Sequence, residues 1–354
     1  MRLIRPLQAD DLGDLYRMAG NAGKGLTSLP PDRDFLARKI ERAEATFSGR
    51  QSADAGMYLF ALSDADTHQC VGISGIEARV GQDEVFYNYR LSTHVTASRE
   101  LGVHVRTPTL YLTNDMTDAT EICSLLLDAD HRGGGNGLLL SRCRFLFMAD
   151  FGGLFADKVF AEMRGYSDED GHSPLWESLG RLFFNMDFAE ADRLSVQGDK
   201  SFIAELMPKY PIYLSLLPAE ARAVVGQVHE GTAPALKMLE AEGFNFNGLV
   251  DIFDGGPLVE AFLHNVRTVR ESLLRPVTIV SDAPRPAGPL SSADQLMVSN
   301  RSFADFRVIT VPRSALISGH LQLNPAEADA LVIEEGDVVR VSPLKTPTTE
   351  GSSS

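Results

Sequence analysis

The sequence predicts an α/β fold, a sheet flanked by helices, and three observations predict it. Helix-periodic segments alternate with short apolar runs of strand length. A glycine-rich turn joins the most apolar of those runs, Thr120–Leu127, to a long apolar helix. Beyond residue 275 the helical signal gives way to short strands and turns, the pattern of a small C-terminal β appendage.

The elements follow in order. Leu3 and Ile4 make a short strand closed by Pro6. Asp10 and Asp11 give an acidic first turn to a helix carrying Leu12, Leu15 and Met18. Residues 21–31, with glycines and the pair Pro30 and Pro31, read as a loop, and 34–45 as a second helix. Runs at 57–62 and 70–78 flank the polar turn 64–68 as a hairpin, and 85–91 and 109–112 are further strands. After Thr120–Leu127, placed at the sheet centre, the turn 130–137 runs into a helix at 138–151. A strand at 158–163, a short helix at 173–182 carrying Trp176, a strand at 201–207 and a helix at 219–228 come next. Thr232 caps a helix with Pro234 in its first turn and Gly243 as its left-handed stop, and 244–253 returns as a strand. Pro276, Pro284, Pro286 and Pro289 make 275–289 a linker, with strands at 306–311 and 338–341 beyond it. The expected division is 1–275, a small mostly-β unit at 276–345, and a disordered polar tail at 346–354. Residues 159–163 echo 202–206, and 174–180 echo 234–243, at unequal offsets. A partial second unit from about residue 200 is one reading of that echo.

Composition narrows the function. The 354 residues carry 33 Lys and Arg against 48 Asp and Glu, a net charge of -15. This argues against a nucleic-acid face or an anionic membrane surface, both of which need clustered cations. It leaves room for a small basic pocket around a phosphorylated ligand. Cys70, Cys123 and Cys143 are too few and too scattered for a disulfide framework or a metal knuckle, so no metal site is expected. The N-terminus lacks a signal-peptide pattern, and no run approaches the ~18 apolar residues of a membrane helix, so the expected location is the cytoplasm.

The strongest chemical signal is the turn at 132–137. It follows a buried strand and opens a helix, so free backbone N–H groups and the helix dipole converge there, and a pyrophosphate is the natural guest. It is not a Walker A loop, since no Gly-Lys-Ser/Thr ends it, and Leu138 stands where the third glycine of a dinucleotide fingerprint belongs. Arg132-x-x-Gly135-x-Gly137 resembles the turn by which GNAT acyltransferases hold the coenzyme A pyrophosphate. That resemblance implies a mixed, mostly antiparallel sheet, with Arg132, Gly133, Gly135 and Gly137 as cofactor-binding positions. The GNAT closing unit is a helix ending in Leu-x-x-x-Gly-Phe. Leu239 to Phe244 supplies it, and the helix around Trp176 to Gly180 competes for the same role beside the coenzyme.

Longer blocks resemble one family in particular, the arginine N-succinyltransferases. They include Gly25-Leu-Thr-Ser-Leu-Pro30, Tyr87-Asn-Tyr-Arg90, Ala161-Glu-Met-Arg-Gly165, Ser173-Pro-Leu-Trp-Glu-Ser-Leu-Gly180, Gly226-Gln-Val-His229 and Ile252-Phe-Asp-Gly-Gly-Pro257. The resemblance implies transfer of succinyl from succinyl-CoA to the α-amine of L-arginine, the first step of arginine degradation by the succinyl branch. Succinyl-CoA is then a co-substrate, with no permanently bound cofactor, and the chain is expected as a homo-oligomer or beside a paralogous partner subunit. Subunits that also accept ornithine share most of these blocks. A CoA-binding partner chain that regulates a sister subunit is the reading from a different class.

By the same resemblance, Leu125 matches a succinyl-CoA-binding position, through backbone groups that pair with the pantetheine arm like an added strand. His229 matches a proton donor. Thiols titrate near ~8.5 and α-amines near ~8, so a group poised near neutrality serves both the leaving sulfur and the attacking nitrogen. Glu162, Glu205, Asp251 and Asp254 are candidates for the guanidinium, and Arg90, Arg164 or the Lys24–Ser28 loop for the succinyl carboxylate. Cys123 is available in principle for an acyl-enzyme, although direct attack in a ternary complex is the usual route of such enzymes.

Overall fold

Two amphipathic helices begin the chain. Helix α1 (Leu12–Asn21) buries Leu15, Met18 and Ala19, and α2 (Arg33–Phe47) buries Leu36, Ile40, Ala43 and Phe47. The Asp32 carboxylate caps α2 by accepting from Phe35 N at 2.9 Å, a bond of the kind worth about 1 kcal/mol. Both helices lie on one face of three antiparallel strands, β1 (Arg2–Pro6), β2 (Met57–Asp64) and β3 (Cys70–Glu77), the last two forming the expected hairpin. Helix α3 (Asn136–Asp150) packs its Leu139–Met148 stretch into the main core with Tyr58, Phe60, Val71 and Ile76.

The computed structural model describes residues 1–22, 28–65, 67–168, 171–188, 190–191, 194, 201–281, 283, 285–286, 288 and 290–345. The Lys24–Ser28 loop, Ser28 excepted, and the 346–354 tail lie outside the described residues.

The other strands are β4 (Asn88–Ser98), β5 (Val103–Thr113), β6 (Thr120–Leu127), β7 (Lys158–Glu162), β8 (Ile212–Tyr213), β9 (Asn245–Val250), β10 (Pro257–Phe262), β11 (Leu273–Ile279), β12 (Gln295–Ser299), β13 (Val308–Pro312), β14 (Leu316–Ile317), β15 (His320–Leu323) and β16 (Val338–Pro343). Among the described residues they form one sheet in the order β14-β15-β11-β16-β12-β13-β1-β2-β3-β6-β7-β10-β9-β4-β5-β8. Only β6 with β7 and β11 with β15 run parallel there. The fold is therefore mixed α/β with a large, mostly antiparallel sheet.

The C-terminal strands are present, and they continue the main sheet through the pairing of Ile4 with Val308. Residues 275–279, expected as the start of a linker, instead belong to the strand Leu273–Ile279. Pro276 closes its antiparallel ladder to β16 opposite Val338, and the parallel pairing with β15 begins at Val277. The proline thus sits where one ladder hands over to the next and its missing N–H is tolerated. Residues 201–206, expected as a strand, form a helix. Ile203 and Met207 stand four apart and are both buried, with Met207 N donating to Ile203 O at 2.9 Å, so the helical period prevails. The echo segments 159–163 and 202–206 consequently fold differently, one as strand and one as helix.

Candidate active site

Strand β6 positions the site. Toward β3 it is zipped from Glu121 to Leu127, with one irregularity: Gly75 faces Cys123 while Ile73 faces Leu126, so Ser124 and Leu125 together oppose Ser74. This is a β-bulge, and Ser124 takes a positive φ (54°), the left-handed conformation that one type of bulge places at its first residue. Lys39 of α2 donates to Ser124 Oγ at 3.1 Å and to Ser28 O at 2.8 Å, bracing the bulge from that face. Toward β7 the pairing stops at Thr120 with Val159 and Glu121 with Phe160. Beyond that point β7 follows its other neighbour, β10, along its full length. Its exit is tied to the same neighbour: Met163 N donates to Pro257 O at 3.1 Å and Gly165 N to Asp254 Oδ2 at 2.7 Å. The two parallel strands therefore splay apart.

A cavity of about 930 Å³ occupies the opening. It is lined by α2 on one face of the sheet and by Arg144 of α3 on the other, so it passes through the sheet. Arg38, Lys39, Arg42, Arg132, Arg144 and Arg164 line it, against an equal number of carboxylates. In a chain of net charge -15 that balance marks a place suited to anions.

At one mouth lies the glycine turn. Gly133 and Gly135 have φ of 100° and 89°, conformations that favour glycine, and Gly135 is the N-cap of α3, with no side chain making a capping hydrogen bond. Asn136 N donates to Gly133 O at 3.1 Å; the other N–H groups at the start of the helix have no intrahelical acceptor and lie at the positive end of the helix dipole. Arg132 lines the cavity beside them and is exposed.

His229 stands over the opening. Its N–H donates to Arg164 O at 2.9 Å, and Val228 bridges Gly165, so the exit of β7 holds the histidine in place. Its Nδ1 accepts from Gly231 N at 3.0 Å, which puts the ring proton on Nε2 in the neutral form. Burial lowers its pKa, the Arg164 charge lowers it further, and Glu230 opposes them weakly. The imidazole is thus neutral at neutral pH, with Nε2–H as its free donor. The helix that follows, Ala233–Glu240, packs Ala235, Leu236 and Leu239 on the α3 core and lines the cavity. Trp176 packs on Phe184 and on Phe253, which lines the cavity, but Trp176 itself does not reach the wall; of the two helices it is 233–240 that lines the cavity directly, through Ala235 and Leu239.

Of the sequence-derived residues, the structure brings Leu125, Arg132, Glu162, Arg164, His229, Asp251 and Asp254 to the cavity wall. Gly133, Gly135 and Gly137 form the adjoining turn. Arg90 is elsewhere, its guanidinium paired with Asp115 at 2.7 Å, and Glu205 is exposed on the helix 201–206. Asp254 is committed to structure: its two oxygens accept from Gly165 N and Gly256 N. It also hydrogen-bonds Asp251, and burial together with the Asp251 charge raises its pKa well above the carboxylate range. Of the charged lining residues, Arg38, Lys39, Arg42, Glu77, Glu84, Glu121 and Arg144 were not among the sequence-derived candidates. For Arg144 the signal existed, a charged residue inside an apolar helix.

A through-sheet cavity between splayed parallel strands, a bare helix N-terminus at its mouth and a neutral imidazole above it define an acyltransferase. Family models place the chain further. Residues 2–268 match the arginine N-succinyltransferase beta subunit, and 276–343 match the C-terminal domain of that subunit. The chain is 46% identical over 351 residues to the arginine N-succinyltransferase of Yersinia pestis (strain Pestoides F), covering 99% of this chain and all of that one. It is 46% identical to the arginine N-succinyltransferase subunit beta of Pseudomonas aeruginosa, covering 97% and 98% of the two chains. The solved structure of arginine/ornithine succinyltransferase subunit AI from Pseudomonas aeruginosa matches with a TM-score of 0.87 at 35% identity, over 98% of this chain and 99% of that one. This chain belongs to the arginine N-succinyltransferase family. Among the described residues, no helix is long and apolar enough to cross a membrane.

Proposed function

We propose that the chain transfers succinyl from succinyl-CoA to the α-amine of L-arginine, releasing CoA and N2-succinyl-L-arginine. The observation that carries this reading is the opening between β6 and β7, with the glycine turn at its mouth and His229 above it. The pyrophosphate lies on the N–H groups of the 133–137 turn other than that of Asn136, with Arg132 beside it. The pantetheine arm enters between β6 and β7, using the backbone edge of β6 that β7 leaves unpaired, and its thioester reaches the bulge at Leu125. Glu162, exposed at the end of β7, is the carboxylate that meets the guanidinium of the acceptor.

In the reaction the neutral amine attacks the thioester carbonyl, a C–N bond forms and the carbonyl oxygen takes negative charge. Collapse breaks the C–S bond. The nitrogen sheds one proton and the sulfur gains one, so the step is proton-neutral. His229 Nε2–H donates to the departing sulfur and holds its charge until that proton arrives. Donor placement of this kind contributes roughly 10²–10⁴ in rate.

The deciding assay is free-thiol release from succinyl-CoA and acetyl-CoA against arginine, ornithine and lysine. Release that requires both succinyl-CoA and arginine is expected. A chain that turns over nothing until a paralogous subunit is added would instead support the partner-subunit reading.

A further inference from the structure

Arg142 and Arg144 sit two residues apart on α3, on opposite sides of the helix, and are 3% and 2% exposed. Arg142 has its counter-charge. Its Nε lies 2.7 Å from Glu242, which also pairs with Arg267. Arg144 turns toward the sheet and donates to Ser141 O (2.9 Å), Ser141 Oγ (3.0 Å) and Cys123 O (3.4 Å), all uncharged acceptors. Among the described residues no carboxylate is within ion-pair distance of it. A guanidinium keeps its proton when buried, and a buried charge is held where it meets an opposite one. Three of its five N–H groups are accounted for by those bonds, leaving two for the cavity that Arg144 lines.

We infer that Arg144 receives the far carboxylate of the succinyl group and selects a four-carbon diacid thioester over its uncharged analogues. The inference rests on the reading above, in which the thioester lies at Leu125. Cys123, whose carbonyl Arg144 touches, is two residues earlier on β6, about 6.6 Å along the strand. Three carbon–carbon bonds of about 1.5 Å each, followed by a charge-assisted hydrogen bond of about 2.8 Å, span that gap. An acetyl group ends short of it. The competing cations are engaged or outside: Arg42 pairs with Glu77, Arg164 donates to Ser167 Oγ, Lys39 braces the bulge on the opposite face, and Arg38 and Arg132 are exposed.

The test compares succinyl-CoA with butyryl-CoA, which has the same chain length and a methyl group in place of the carboxylate, on the full-length protein and on Arg144→Met. The variant is expected to lose about 100-fold in kcat/KM on succinyl-CoA, the scale of a lost charged hydrogen-bond pair, while butyryl-CoA turnover holds or rises. Equal losses on both thioesters would reduce Arg144 to a brace between α3 and β6 and overturn the inference. Should Arg144→Met not fold, the unmodified protein is crystallised with a thioether analogue of succinyl-CoA. The carboxylate is expected about 3 Å from the Arg144 guanidinium. Coenzyme in the β6–β7 opening with its carboxylate on Lys39 or Arg164 refutes the Arg144 assignment alone, whereas coenzyme bound outside that opening refutes the reading of the site and the assignment with it.

Discussion

The two edges of β6 differ in a way that explains the site. Toward β3 the strand is paired from end to end, and even its bulge is braced by Lys39. Toward β7 it is paired for two residues and then abandoned. An interior strand with unpaired backbone is costly, because each buried N–H or C=O needs a partner. The paired edge makes a core and the open edge makes a binding surface. The difference is imposed by a third party, β10 and the 254–256 turn, which hold β7 more completely than β6 does.

The largest expected effect concerns the residue that stands over the open edge. His229→Ala should lower kcat by roughly 10²–10⁴ while succinyl-CoA affinity, measured by calorimetry, stays within a few-fold. The pH profile sharpens this. Because burial and Arg164 push the imidazole pKa down, the acid limb of kcat attributable to His229 should fall below the ordinary value of about 6.5. Protonation there would put a proton on Nδ1, where Gly231 N already donates. A limb above neutrality that vanishes in the alanine variant would reverse the assigned protonation state.

Next comes the device that holds the strands apart. A Cβ on Gly256 would overlap Met163 O and stand 2.9 Å from Gly165 Cα, and one on Gly165 would meet Asp254 Oδ1 at 2.5 Å. Gly256→Ala should therefore cost on the order of 3 kcal/mol by overpacking, read as a shift in denaturant midpoint. Gly152→Ala, where a Cβ meets nothing within 4 Å, is the control and should be nearly silent. Equal stability of the two would mean that the turn does not clamp β7.

A smaller effect is expected at the mouth. Gly135 combines a φ of 89° with a Cβ position 2.9 Å from Leu344 Cδ2, whereas Gly133, at φ 100°, faces open space. Gly135→Val should weaken CoA binding about tenfold, with strain of roughly 1–3 kcal/mol. Gly133→Ala should carry the backbone strain alone and weaken it less. Matching affinities for both variants and the unmodified protein would take the pyrophosphate away from this turn.

How much of this was readable in advance divides along the same line. Strands β2, β3 and β6, the glycine turn and α3 were legible because their signals are local: apolar runs of strand length, a polar hairpin turn, glycines before an apolar helix. His229 and Leu125 entered through family resemblance, since a lone histidine before a helix carries no chemistry by itself. Long-range pairing hid the rest. Nothing near Pro276 announces that β11 threads between β16 and β15, and the 201–206 segment mixes strand-forming side chains with a helical spacing that only the burial of Ile203 and Met207 resolves. Arg90 was plausible as an anion ligand until Asp115, on the loop after β5, was seen to occupy it. Lys39 and Arg144 reach the cavity from opposite faces of the sheet, a convergence that only the assembled sheet brings about.

The smallest expected effect is at Cys123, which lies on β6 beside the open edge and is the one nucleophilic thiol lining the cavity among the described residues. A covalent route would need its thiolate. Burial pushes the thiol up to about 11, with the Glu121 charge adding to the rise and Lys39 and the Ser124 hydroxyl only partly offsetting it. At pH 7 the thiolate is then about one part in ten thousand, against a few per cent for an ordinary thiol near ~8.5. The Arg144 guanidinium is directed at the Cys123 carbonyl rather than at its sulfur. Cys123→Ala should therefore keep kcat within about twofold and show no burst of thiol release, since direct attack by the amine bypasses the sulfur. A stoichiometric burst in the unmodified protein that disappears in the variant would move the acyl group onto β6 itself and make the open edge a covalent station.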